Sequence, residues 1–166
     1  MTAAPAPVLV LAVGNPSRGD DALGPVLAER LEAAAFPGVE VLTDFQLQVE
    51  HALDLVGRER VVFIDAGTGT PPPFEWREVR PAPDFLHTSH ALSPEAVLAT
   101  YVRVRGEPPP ESWVLCVRGE SFELGEPLSV AAAAHLEAAW SELSRRLAKR
   151  SLRAEHGLRA TATSDM

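Results

Sequence analysis

The chain has 166 residues and a mass of 17.8 kDa, a length that predicts one domain with a genuine core. Fifteen basic against 23 acidic side chains leave a net charge of −8 at pH 7, which argues against a general nucleic-acid binder, because phosphate neutralisation needs a basic face. The lone Cys116 excludes an internal disulfide framework and a cysteine-rich zinc site.

No apolar run approaches the roughly 18 residues of a membrane span. Met1 to Pro7 holds no basic residue and no long apolar stretch, so no signal peptide is expected and the cytoplasm is. The charge is uneven. Arg145, Arg146, Lys149, Arg150, Arg153 and Arg159 oppose only Glu155 between 145 and 159. That stretch carries +5 and the remainder −13. Basic residues near a helix C-terminus suit the macrodipole; a docking tail for an acidic partner is the alternative.

Val8 to Val13 is a continuous apolar run, the signature of a strand buried on both faces. From Asp21 to Ala35 the apolar residues recur at three and four, and Pro25 is acceptable in a first helical turn. Asp20 is the expected N-cap of this helix. Val39 to Thr43 reads as a short strand, Gln48 to Gly57 as a helix, and Val61 to Ile64 as a third strand. Phe74 to Val79 alternates apolar and charged residues, as an edge strand with one wet face does. Ser93-Pro94-Glu95 starts a helix to about Arg105. Trp113 to Val117 is a fifth strand, and Ser129 caps a final helix to about Lys149. The order predicts an α/β fold, a mixed sheet with helices on both faces, as one domain over 1–150. Residues 151–166 are expected to form a basic, frayed tail.

In open α/β sheets ligands sit outside the C-terminal strand ends. The first strand delivers Gly14-Asn15-Pro16-Ser17-Arg18-Gly19-Asp20-Asp21. The glycines have P-loop spacing, but Asp20 and Asp21 stand where a P-loop places Lys and Ser or Thr, and would repel phosphate. Asp65 follows the third strand, and Thr88-Ser89-His90 lies in the loop beyond the fourth. Capping and solvation explain each acid and the histidine singly. Together Asp21, Asp65 and His90 form an O,O,N set suited to a divalent transition metal, with His87 as the competing ligand. Cys116, inside an apolar strand, reads as buried filler, and His51 and His135 as packed or surface helix residues.

VLVLAVGNPSRGDDALGPVLAERL resembles the N-terminus of the [NiFe]-hydrogenase maturation endopeptidases: an apolar strand, Gly14-Asn15, a short loop, Asp20-Asp21, then Gly24 before an amphipathic helix. VVFIDA, SHALSPE and ESWVLCVRGESFELGEPLS match later segments of the family, so the likeness runs over about residues 8–148. It implies a three-layer α/β/α fold around a twisted five-stranded mixed sheet, of the phosphorylase/hydrolase-like kind. It also implies an endopeptidase that removes the C-terminal extension of the hydrogenase large-subunit precursor after nickel insertion. Asp21, Asp65 and His90 fall on the family's metal-contact positions, and Asp21, Asp65 or a water between them is the implied base. The nickel is carried by the substrate, and no tightly bound cofactor is expected; nor is a nucleic-acid or membrane partner, and a monomer is. Some members carry Asp-Gly-Gly-Thr after the second strand, where this chain reads Thr43-Asp44-Phe45-Gln46. That loop opens onto the binding edge, so Asp44 and Gln46 are expected substrate contacts. A non-enzymatic metal-dependent chaperone and a small-molecule hydrolase on the same fold are the alternatives.

Overall fold

The computed structural model describes residues 4–82 and 92–149. In chain order these form β1 (Val8–Val13), a 3-10 turn (Gly19–Ala22), α1 (Leu23–Ala34), β2 (Val39–Asp44), α2 (His51–Asp54), β3 (Arg60–Gly67), β4 (Phe74–Glu78), α3 (Pro94–Arg105), β5 (Glu111–Arg118) and α4 (Val130–Ala148). The five strands make one sheet in the order β2-β1-β3-β5-β4. All neighbours are parallel except β4, which runs antiparallel to β5 at the edge.

Alternation along the strands divides the core in two. Val10, Ala12, Val62, Ile64, Leu115 and Val117 face α1 and α4. Leu9, Leu11, Val13, Val61, Phe63 and Val114 face α2 and α3. Both faces of β1 and β3 are thus covered, which is why those strands are continuously apolar. The Ser93 and Ser129 hydroxyls accept from the Ala96 and Ala132 amides at 3.1 Å, capping α3 and α4 as expected. Edge strand β4 is held by Trp76 stacked on Trp113 at 5.8 Å, with Arg146 of α4 lying over Trp76 at 4.5 Å.

Three expectations need correction. The helix over Gln48 to Gly57 shrinks to His51–Asp54, with turns on either side. Asp65 lies within β3 and not after it. Asp20 does not cap α1: it sits inside the 3-10 turn, fully buried, and α1 begins three residues later. The expected loop histidines, His87 and His90, and the tail over 151–166 lie outside the described residues. Among the described residues no helix is long and apolar enough to cross a membrane.

Candidate functional site

The order in which strands are added reverses between β1 and β3: β2 lies to one side of β1, while β3 and the later strands lie to the other. The crevice beyond their C-terminal ends is the switch point where such sheets take ligands. Asp21 approaches it from the loop after β1, and Asp65 from β3 itself. Two residues shape the first loop. Gly14 has a positive φ of 149°, and a Cβ there would collide with the Asp21 carbonyl oxygen. A Cβ on Gly24 would strike the Val13 carbonyl oxygen, so α1 packs directly on the end of β1. The Asn15 amide donates to Asp21 Oδ2 at 2.7 Å, and its side-chain oxygen accepts from the Ser17 amide at 2.9 Å. Gly14 and Asn15 therefore build the loop that aims Asp21.

Asp20 has a different job. Its Oδ2 accepts from the amides of Glu120 at 2.7 Å and Ser121 at 3.1 Å and from the Ser129 hydroxyl at 2.7 Å; its Oδ1 accepts from the Ser129 amide at 2.7 Å. Burial pushes its pKa upward, but the bonds from Ser129, Glu120 and Ser121 outweigh this and hold it below the usual 3.8. Further bonds from Gly19 to Glu126, Asp20 to Ser121 and Gly125 to Ser17 lace the β1 loop to residues 119–129. Adjacent acids in the sequence thus separate into a buried anchor, Asp20, and a partly exposed group, Asp21, held by the Asn15 amide.

Asp65 opens to solvent on one side and is crowded by protein on the others. Burial raises its pKa from 3.8 to about 6, the hydrogen bond from the Ala66 amide (2.7 Å) opposes this, and the nearby Asp21 charge adds to the rise. The two acids, far apart in the chain, therefore feel each other electrostatically. Level with Asp65 on β5 is Cys116, half-buried, its sulfur 3.0 Å from the Thr70 hydroxyl. Cys116 is therefore at the border of the crevice and not in the sealed core, and burial raises its thiol pKa.

Asp44 ends β2, and its Oδ1 accepts from the Phe45 amide at 2.7 Å. His51 Nε2 lies 3.2 Å from Asp44 Oδ2, a pairing that the sequence reading did not anticipate. A strand-end acid followed by a histidine at the start of the next helix is the only signal for it. Gln46 is half-buried in the same loop, and Phe45 is 65 % exposed beside it.

Of the O,O,N set, the described residues hold Asp21 and Asp65, near enough for the Asp21 charge to add to the rise of the Asp65 pKa. Among the described residues no group of three or more His, Cys, Asp and Glu side chains is arranged to hold a metal.

No family model matches the sequence, nor does any curated protein significantly. Solved structures do match. The hydrogenase maturating endopeptidase HybD from Escherichia coli has 24 % identity and a TM-score of 0.66, over 86 % of this chain and 93 % of its own. The [NiFe] hydrogenase maturation protease HycI from Thermococcus kodakarensis has 22 % identity and a TM-score of 0.65, over 87 % and 93 %. An endopeptidase from Escherichia coli has 25 % identity and a TM-score of 0.66, over 86 % and 93 %. The resemblance read from VLVLAVGNPSRGDD thus extends to the whole architecture: the chain has the fold of the hydrogenase maturation proteases.

Proposed function

We propose that the protein is an endopeptidase that trims the C-terminal extension of a [NiFe]-hydrogenase large-subunit precursor in the cytoplasm, and that it recognises the nickel already inserted in that substrate. The observation that carries this reading is the meeting of Asp21 and Asp65 at the switch-point crevice, near enough for one charge to raise the other's pKa. Nickel held by substrate thiolates accepts further oxygen and nitrogen ligands. Asp21 and Asp65, joined by His90, supply them and so hold the scissile bond in the crevice. A precursor without nickel has no such anchor. Asp21, Asp65 or a water between them serves as the general base. Asp44 and Gln46, beside the exposed Phe45, contact the precursor on the β2 side.

Mass spectrometry of nickel-loaded and nickel-free precursor after incubation with the protein tests the reading. Only the loaded form should lose its extension. Asp21→Asn, Asp65→Asn and His90→Ala should each slow that loss at least about a hundredfold with the circular dichroism unchanged. Equal cleavage of both precursors, or full activity in all three variants, overturns it.

A further inference from the structure

Asp44 and His51 form a pair whose geometry is set from both sides. The Gln48 amide donates to His51 Nδ1 at 2.8 Å, so Nδ1 is an acceptor and the ring proton sits on Nε2. The Asp44 carboxylate lies beside that edge of the ring, its Oδ2 3.2 Å from Nε2. The imidazole is nearly enclosed, at 10 % side-chain exposure, while the carboxylate it holds is 39 % exposed. The Asp44 backbone is pinned as well, since its carbonyl accepts from the Gly14 amide at 3.1 Å. Asp44 thus has its main chain tied to the crevice loop, one oxygen on the Phe45 amide and the other beside a buried histidine.

A carboxylate offers about four acceptor positions, and the Phe45 amide occupies one of those on Asp44. Its open edge faces solvent. Asp44 is level with Val13 in β1, and Ile64 is level with Ala12 in β3. Asp44 and Asp65 therefore stand at the same height in the sheet, two strand spacings or about 10 Å apart. A fixed, half-open carboxylate at that distance suits a donor group on the protein segment beside the reacting bond, a backbone N–H or a basic side chain. A loop acid without its histidine would lose this orientation.

We infer that His51 is a positioning residue for the substrate: it clamps Asp44 so that the open edge of the carboxylate receives a hydrogen-bond donor of the bound precursor. This rests on the proposed protease reading, and the test separates the two. His51→Phe removes both ring nitrogens; His51→Gln retains a donor within reach of Asp44 and an acceptor for Gln48. With nickel-loaded precursor, His51→Phe should raise KM about tenfold and leave kcat within about twofold, the loss expected for one charge-assisted contact. His51→Gln should recover most of that loss, and Asp44→Asn should reproduce the rise in KM without His51 being altered. An unchanged KM in folded His51→Phe and in Asp44→Asn overturns the inference, as does His51→Gln performing no better than His51→Phe. Nitrogen NMR of the labelled histidines supplies a readout independent of catalysis: the Nε2–H tautomer at His51 is expected, and the Nδ1–H tautomer overturns the clamp. Failure of the wild-type protein to cleave the precursor overturns the protease reading instead, and the effect of the same variants on precursor Kd then decides the role of His51.

Discussion

Asp20 and Ser129 are joined twice across 109 residues of chain, the serine amide bonding Oδ1 and its hydroxyl Oδ2, each at 2.7 Å. The same hydroxyl oxygen accepts from the Ala132 amide to cap α4. One acid therefore orients a helix cap while holding the loop that carries Asp21. Asp20→Ala would leave several buried donors without a partner, for a loss of about 3 kcal/mol in urea unfolding. Asp20→Asn should cost less, because one acceptor oxygen remains.

The link between these residues predicts non-additivity. Ser129→Ala removes the cap and one Asp20 partner, for about 1–2 kcal/mol alone. Combined with Asp20→Ala, the total should fall short of additive by about 1 kcal/mol. Strict additivity in the double-mutant cycle would show that the two act independently.

Most of the framework was legible in the sequence because its signals are local. The apolar run Val8–Val13 and the Ser-Pro-Glu start of α3 need no distant partner to be read. The helix over Gln48–Gly57 was overread because its apolar spacing is also satisfied by turns that bury Leu47, Ala52 and Leu55 while exposing Val49 and Leu53. Asp20 was read as a cap because a carboxylate before a helix ordinarily is one. Its real partners lie a hundred residues on, where no local pattern records them. Asp21 and Asp65 were legible as strand-end acids, whereas the tuning of Asp65 depends on burial and on a neighbour that only folding supplies.

Asp20 should contribute to acid unfolding. Its folded pKa lies below 3.8, so its stabilising contribution is complete above that pH and is lost as pH falls through the folded value. The stability gap between the wild type and Asp20→Asn, followed from pH 7 to pH 3, should narrow at the acid end. A gap that stays constant would deny the carboxylate its role.

Asp65 carries the opposite sign. Its pKa rises from 3.8 to about 6 on folding, so its contribution is fully present below 3.8 and is lost as pH rises through about 6. In metal-free buffer, the Tm of Asp65→Asn relative to the wild type should therefore climb between pH 4 and pH 7. Because the carboxylate reaches solvent, screening keeps this climb modest. A flat difference would mean that the folded protein does not disfavour the ionised acid.

Gly24 offers a steric test of the motif. With α1 lying against the Val13 carbonyl, Gly24→Val has no room for its side chain. It should destabilise the protein by more than about 2 kcal/mol. Gly69, where an added Cβ meets nothing within 4 Å, should accept alanine with little change, and comparing the two Tm values checks the contrast.

Every side-chain hydrogen bond that Asp20 accepts comes from residues 120–129. During synthesis β1, its loop and Asp21 leave the ribosome long before those donors exist. Until Ser129 has emerged the Asp20 carboxylate stays hydrated, and the loop that carries Asp21 lacks its anchor. The loop after β1 is therefore fixed only when a segment a hundred residues downstream has been made.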